Sequence, residues 1–177
     1  AGKEINMKAI TIWQPWATLL PLGVKLYETR SWATSYRGPI AIHAAALKLP
    51  QVLKKCFPDE DGKRMFLDTI AKELKGVYAS REIVDFLNSF PTGSVVATAR
   101  LVGCHRISAL HFTRPTLPGG KRFIRRECGE TFIPSGMELA LGDWTPGRYA
   151  WEFADMKPIA PIPVKGKQGL WEWDGVV

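Results

Sequence analysis

The sequence predicts an α+β fold in which a small, closed or nearly closed β-barrel carries flanking helices and an inserted helical block. Short stretches of alternating apolar residues recur along the chain, and this alternation is typical of half-buried strands. One block with helical periodicity, about residues 50–90, interrupts them. Several strands with helices on one side favour a sheet that curls into a small barrel. A chain of 177 residues is long enough for one domain with its own core.

The N-terminal third alternates between predicted strands and one short helix. Pro15 suits the first position of that helix, and Gly23 suits its C-terminal end. The predicted strands are residues 8–12, 25–32 and 38–45. Residues 1–6 precede Met7, and we interpret them as an expression remnant or an untrimmed leader, so the predicted domain is 7–177.

The helical block shows a helix period, and the chain beyond it is rich in strand signals. Leu67, Ile70 and Leu74 follow the spacing of a buried helix face, and Ser80 suits the N-cap of a further helix. Segments 94–107 and 147–153 are predicted strands; in the latter, Arg148, Ala150 and Glu152 alternate with Tyr149, Trp151 and Phe153. The segment 108–146 is rich in Gly, Pro and Arg and is predicted to be a basic loop.

Positive charge is concentrated in one part of the chain. The net charge is +7, and seven cations with no Asp or Glu lie between residues 100 and 126. They are Arg100, Arg106, Arg114, Lys121, Arg122, Arg125 and Arg126. Such a field attracts polyanions, nucleic acid above all, in a salt-dependent way. The alternative is a solvated loop that keeps the protein soluble.

Several classes of protein are disfavoured. No apolar run reaches the length of a membrane span, so no membrane partner is expected. The three cysteines are scattered, which favours buried inert thiols in a reducing, cytoplasmic location. The sequence has no CxxC or HExxH spacing, which would indicate a metal site, and no phosphate-binding loop, which would indicate a nucleotide cofactor. We therefore expect neither a metal nor a cofactor.

The N-terminal third also resembles a known family. Gly23, Lys25, Glu28 and Arg30 form the signature G-x-K-x-x-E-x-R of the ASCH (activating signal cointegrator homology) domain. The preceding WQPWATLL, the following YRGPIAIHAA and the closing strands are also similar to that family. The resemblance covers residues 8–46, 91–107 and 147–174. The segments between them look like insertions.

The resemblance implies a particular fold and ligand. The fold would be a PUA-like β-barrel with a cleft between the barrel and the first helix. The ligand would be RNA or single-stranded nucleic acid, which agrees with the basic stretch.

Strand alternation indicates what the signature residues can do. Glu28, Arg30 and Trp32 are expected on one face of the strand, while Tyr27 and Thr29 point the other way. Lys25, at the strand entry, can direct its ammonium group towards Glu28. Arg30 then offers a planar fork to phosphate, and Glu28 an acceptor to a base amine or ribose hydroxyl. The alternative is that the charges only pair with one another and hold the strand in place.

Other residues extend the candidate interface. Trp16 and Trp32 are the predicted stacking residues, whereas Trp13 is assigned to the core. Predicted phosphate contacts are Arg37, Lys165, Lys167, Lys121, Arg122, Arg125 and Arg126.

A second hypothesis assigns a catalytic role to the same residues. Some ASCH-like proteins are amidohydrolases acting on acylated cytidine, and ribonuclease activity has been attributed to others. The amidohydrolase pattern places a threonine where this chain has Glu28, so the nucleophile does not carry over. Lys25 and Glu28 remain candidates for acid–base catalysis. Binding is favoured, and a protein-interaction module is a further alternative.

Overall fold

The computed structural model describes residues 4–74, 80–110 and 121–176, and within them the chain forms strands and helices in alternation. The strands are β1 Glu4–Ile12, β2 Tyr27–Arg30, β3 Gly38–Ala44, β4 Ser94–Leu110, β5 Lys121–Arg125, β6 Thr131–Phe132, β7 Tyr149–Pro163 and β8 Leu170–Val176. The helices are α1 Trp16–Leu19, α2 Leu49–Cys56, α3 Glu60–Glu73, α4 Ser80–Asn88 and α5 Gly136–Leu141.

The strands form a mixed sheet, which confirms the α+β class. The hydrogen-bonded order is β2-β7-β4-β3-β1-β8, and β5 pairs with both β4 and β6. β1 and β3 are parallel, whereas β8 runs antiparallel to β1 and β7 antiparallel to β2. Among the described residues the order is open, with β2 and β8 at its two ends. The closed PUA-like barrel therefore stays a prediction.

The chain divides into two compact units. The first comprises Ala1–Val24, Pro39–Arg100 and Asp155–Val177, and the second comprises Lys25–Gly38 and Leu101–Ala154. β4 and β7 each contribute residues to both units. The prediction of one ASCH domain over residues 7–177 stays a prediction.

The first unit has a core of strand residues covered by tryptophans. Met7, Ala9, Ala41 and Val95 are buried, together with Trp171 and Trp173 of β8. Residues 4–6, interpreted from the sequence as part of a remnant, form the first positions of β1, where Asn6 lies opposite Asp174. The pairing of residues 4–6 with β8 could not be predicted from the sequence, because β8 lies at the far end of the chain.

The helical block belongs to the first unit and follows the predicted periodicity. Phe66, Leu67 and Ile70 of α3 are buried. The helix begins at Glu60, because the Asp59 side chain accepts a hydrogen bond from the Gly62 backbone N–H at 2.6 Å. The acidic residues that follow Asp59 suit the positive end of the helix dipole.

The second unit has its own core, which includes residues of the predicted basic loop. Tyr27, Ile107, Ile124, Trp144 and Ala150 pack together. Between residues 108 and 146, where the sequence predicts loop, the structure has the end of β4, all of β5 and β6, and α5. Among residues 122–125 of β5 only Ile124 is buried, so the alternation of this strand is weak in the sequence. Residues 111–120, including Arg114, lie outside the described residues.

Candidate functional site

The signature residues form a compact ionic cluster in the second unit, which we call the motif cluster (Lys25, Glu28 and Arg30). The Lys25 ammonium donates to the Tyr27 carbonyl oxygen and lies 3.0 Å from Glu28 Oε2. Arg30 Nε lies 3.1 Å from Glu28 Oε1. One carboxylate therefore lies between two cations, and the cluster carries one excess positive charge.

Burial makes this arrangement energetically significant. The Lys25 side chain is 1% exposed and that of Glu28 is 11% exposed, whereas Arg30 is 24% exposed. An ion buried this deeply is costly unless it is paired, so Glu28 stabilises Lys25 in place. Arg30 is the member that solvent, and hence a ligand, reaches most easily.

Strand alternation places Tyr27 and Thr29 as the sequence predicts, but β2 ends at Arg30, so Trp32 lies beyond the strand. Tyr27 packs in the core, and the Thr29 hydroxyl accepts from the Asp143 backbone N–H at 3.0 Å on that same side. Trp32 makes an edge contact with Trp151, with ring centroids 4.7 Å apart. The Trp151 indole N–H also donates to the Trp32 carbonyl oxygen at 3.4 Å. Trp32 is half-buried, so part of its ring is committed to packing.

Sequence reasoning missed Glu138, a buried carboxyl group of α5. Its Oε1 accepts from the Leu26 backbone N–H at 2.5 Å, while its buried Oε2 has no hydrogen-bond partner among the described residues. Burial raises the pKa of the Glu138 carboxyl, and the nearby charge of Lys25 offsets part of that shift. Glu138 thus adds a second acidic group to the surroundings of the motif cluster.

The local fold holds Glu138 by its backbone as well. Its N–H donates to the Ser135 hydroxyl at 3.2 Å, and its carbonyl oxygen accepts from the Trp144 indole at 2.6 Å. Ser135 followed three residues later by Glu138 is the capping-box spacing that marks a helix start. This spacing was the available sequence signal for α5.

Arg126, a predicted phosphate contact, is engaged by the protein itself. Its guanidinium donates to the Tyr27 hydroxyl at 2.6 Å and pairs with Glu130 at 2.8 Å and Glu152 at 3.2 Å. Glu152 in turn lies 2.7 Å from His105 Nε2. Burial raises the pKa of the Tyr27 hydroxyl, and the hydrogen bond from Arg126 offsets part of this. The network links β2, β4 and β7 to the residues after β5.

The side chains of the other basic residues in the second unit differ in the face from which they project and in their exposure. Arg122 lies on the same face of β5 as buried Ile124, whereas Phe123 and Arg125 lie on the opposite face. Arg125 is exposed. Arg37 is exposed and pairs with Glu127 at 2.8 Å. The side chain of Lys121 lies outside the described residues.

The remaining predicted contacts belong to the first unit. Trp16 packs against Phe66 of α3, with ring centroids 5.5 Å apart. Lys165 and Lys167 are exposed in the loop before β8, where the Lys167 carbonyl oxygen accepts from the Thr11 hydroxyl at 2.8 Å.

Trp13 is not a core residue. Its side chain is 41% exposed, and the Lys55 ammonium lies 5.9 Å from its ring centroid. The core assignment from the sequence is wrong because Trp13 follows the end of β1, where the strand alternation no longer applies. The exposed ring beside a cation makes Trp13 a stacking candidate instead of a core residue.

The described residues give no sign of two other kinds of site. They contain no group of three or more His, Cys, Asp or Glu side chains arranged to hold a metal ion. None of the helices in the described ranges has the length and apolar character needed to cross a bilayer.

Comparison with known proteins supports the resemblance seen in the signature. The ASCH domain family model matches residues 10–163. The human protein Activating signal cointegrator 1 is 34% identical over 95 residues, and its mouse counterpart is 32% identical over 95 residues. Each alignment covers 54% of this chain and 14% of the relative, so the chain spans only a small part of these longer proteins. Because the family model covers most of its length, the chain belongs to the ASCH domain family.

Proposed function

We propose that the protein binds RNA or another single-stranded nucleic acid through the motif cluster. The observation that carries this proposal is a single carboxylate held between two cations, with the Arg30 end of the cluster partly exposed. The ASCH family is generally linked to RNA binding, which supports the same ligand class.

Each member of the cluster has a distinct role in this proposal. Arg30 presents its guanidinium to a phosphate, a contact favoured by charge and by its fork geometry. Lys25 contributes positive charge from beneath, and Glu28 orients both cations. A PUA-like barrel with a cleft beside the first helix remains part of the proposal, on the strength of the family resemblance.

A cytoplasmic location belongs to the same proposal. Cys56, Cys104 and Cys128 are all free thiols, as is usual in a reducing compartment. Cys56 and Cys128 are exposed, so the expectation of buried thiols is wrong for these two. Fractionation of cells that produce the protein tests this; recovery outside the cytoplasm would contradict it.

Binding is tested by fluorescence anisotropy with a labelled single-stranded RNA of about 12 nucleotides, a length within the usual range of such sites. We expect micromolar or tighter affinity that weakens steeply between about 50 and 200 mM salt. Arg30→Gln should weaken binding, and Arg30→Lys should restore only part of it, because lysine keeps the charge without the fork. Arg64→Gln, at an exposed position of α3, is the matched control. Absence of wild-type binding at low salt would overturn the proposal.

A second candidate function, hydrolysis of a modified nucleoside or RNA, is favoured by Glu138. Its buried, unpaired oxygen and raised pKa are suited to holding a proton for transfer near Lys25. Turnover of N4-acetylcytidine and of short RNA is the test. Loss of activity in Glu138→Gln, with unchanged RNA binding, would support catalysis. If the wild type turns over neither substrate, this candidate is excluded.

A further inference from the structure

The register of the second unit aligns basic and aromatic residues across four strands. Arg30 of β2 lies opposite Tyr149 of β7. The Ile107 N–H of β4 donates to the Arg148 carbonyl oxygen at 2.8 Å, while the Gly147 N–H donates to the Ile107 carbonyl oxygen at 2.9 Å. With Gly147 at φ +93°, this is a G1 bulge, and it sets the alignment of β7 with β4.

The pairing of β7 with β4 also places the next residues of the two strands opposite each other. Arg148 shares its level with Ile107, so Tyr149 comes beside Arg106. Ile107 lies opposite Ile124 of β5, so Arg106 comes beside Arg125. Arg30, Tyr149, Arg106 and Arg125 therefore follow one another across the sheet; we call them the cross-strand row.

All four members of the row project from the same face of the sheet. Their neighbours Ile107, Ile124 and Ala150 are packed in the core, so the alternate residues must point away from it. Arg106 and Arg125 are exposed, and Tyr149 and Arg30 are partly exposed. Strands about 4.8 Å apart make the row about 14 Å long.

The chemistry of this face suits a flexible polyanion. Among the residues that the structure describes, neither Arg106 nor Arg125 has an ion-pair partner. Phe123, partly exposed, lies beside Ser108 on the same face and two residues before Arg125 in sequence. Guanidinium groups beside aromatic rings are the combination that holds single strands, because phosphates pair with the cations and bases stack on the rings.

We infer that the cross-strand row is the track along which a single-stranded nucleic acid extends from the motif cluster. The inference rests on the proposed function and adds a direction and a set of contacts to it. The strand would cross β2, β7, β4 and β5, with Arg106 and Arg125 contacting its backbone and Tyr149 and Phe123 its bases. Arg126 is excluded from the track, because its guanidinium is engaged by Tyr27, Glu130 and Glu152.

The test compares RNA lengths in the full chain. Labelled single strands of about 2 nucleotides, too short to reach Arg106 from Arg30, and of about 12 nucleotides are titrated against the wild type and Arg106→Ala/Arg125→Ala. The longer RNA should bind the double variant about tenfold more weakly at low salt, while the shorter RNA binds both proteins equally. The slope of log affinity against log salt should fall by about 1.4 for the longer RNA, the value for two lost contacts to a single strand.

Two controls separate the track from general charge. Arg64→Ala/Lys72→Ala removes the same charge from exposed positions of α3 and should leave the affinity unchanged within about twofold. Arg106→Lys/Arg125→Lys should retain the salt slope. Thermal unfolding of each variant confirms that it is folded.

The outcomes distinguish this inference from the proposed function. If the wild type binds neither RNA, the proposed function fails. If the wild type binds but Arg106→Ala/Arg125→Ala matches it with the longer RNA, or the α3 control weakens binding equally, the track is overturned. An equal loss with single-stranded DNA would show that the track reads backbone and stacking rather than the ribose hydroxyl.

Discussion

At the scale of single residues, the buried Lys25 determines how the motif cluster must be built. A fully buried ammonium group tolerates burial only with compensating acceptors, and Glu28 and the Tyr27 carbonyl oxygen provide them. The two alternatives from the sequence, pairing and ligand binding, are thus compatible. Pairing positions the cluster, and the partly exposed guanidinium of Arg30 is the part of it that a ligand can reach.

Removing the shared carboxylate should destabilise the protein. We expect Glu28→Gln to lower the free energy of unfolding by about 3–5 kcal/mol, because it leaves Lys25 buried without its counter-ion. Urea denaturation measures this. Glu60→Gln breaks the exposed Lys63–Glu60 pair, whose atoms lie 3.2 Å apart, and should change stability little. Equal effects of the two changes would contradict the importance of burial.

His43 should make stability depend on pH. Burial lowers the pKa of His43, whose Nε2–H donates to the Val164 carbonyl oxygen at 2.9 Å. The folded protein therefore resists protonation more than the unfolded chain does. The contribution of neutral His43 to the free energy of unfolding is complete above about pH 6.5, the pKa of histidine in the unfolded chain. This contribution falls as the pH drops below that value.

His43→Gln keeps a donor towards Val164 but does not titrate, so it is the matched variant. We expect wild-type stability to fall more steeply than that of the variant between about pH 7 and 5. Unfolding free energies measured by urea denaturation across that range test this. Parallel pH curves would show that His43 is protonated equally in both states.

At the scale of elements, the loop before β8 illustrates how a strand pair positions basic side chains. Gly166 lies against His43 and Thr11 of the two parallel strands β1 and β3. The lysines on either side of it, Lys165 and Lys167, are both exposed. This local packing explains why glycine is needed between them.

A methyl group at residue 166 should disturb this loop. A Cβ there would lie 2.6 Å from His43 Nδ1 and 2.9 Å from Thr11 Oγ1, closer than normal contact. We expect Gly166→Ala to cost about 1–3 kcal/mol of unfolding free energy, as overpacking does. Gly136→Ala is the control, since a Cβ there meets nothing within 4 Å. Equal melting temperatures for the two variants would contradict the close packing.

Most elements were predictable where several apolar residues repeat. β1, β3 and the start of β4 coincide with predicted strands, and α3 follows the spacing of Leu67 and Ile70. The elements between residues 108 and 146 were missed for a physical reason. Of the described side chains of β5 only Ile124 is buried, and α5 is only six residues long, so neither shows a repeated period.

At the scale of the whole molecule, the net charge of +7 predicts a general attraction to polyanions. General electrostatic attraction can be distinguished by measurement from recognition by the motif cluster. General attraction depends on charge alone, whereas the cluster and the cross-strand row also offer rings and hydrogen-bonding groups.

A bound ligand should stabilise the folded chain. Single-stranded RNA at about 100 times its Kd should raise the free energy of unfolding by about 2.7 kcal/mol, because only the folded state binds it. Polyglutamate at the same charge concentration should give a smaller increase, since it has no bases to stack. Thermal unfolding with each polymer tests this. Equal stabilisation by both would reduce the interaction to charge alone.

The class of fold was predictable from local periodicity, and the family from the short-range spacing of the signature residues, which resembles that of the ASCH domain. The sequence also indicated correctly that Glu28 and Arg30 share a strand face opposite Tyr27. Only the tertiary structure showed that Glu138 approaches Leu26, that Arg126 is engaged by the protein, and that Arg106 and Arg125 come into line with Arg30. These relations depend on strand register between distant segments, which hydrogen bonding and core packing set and which no local pattern records.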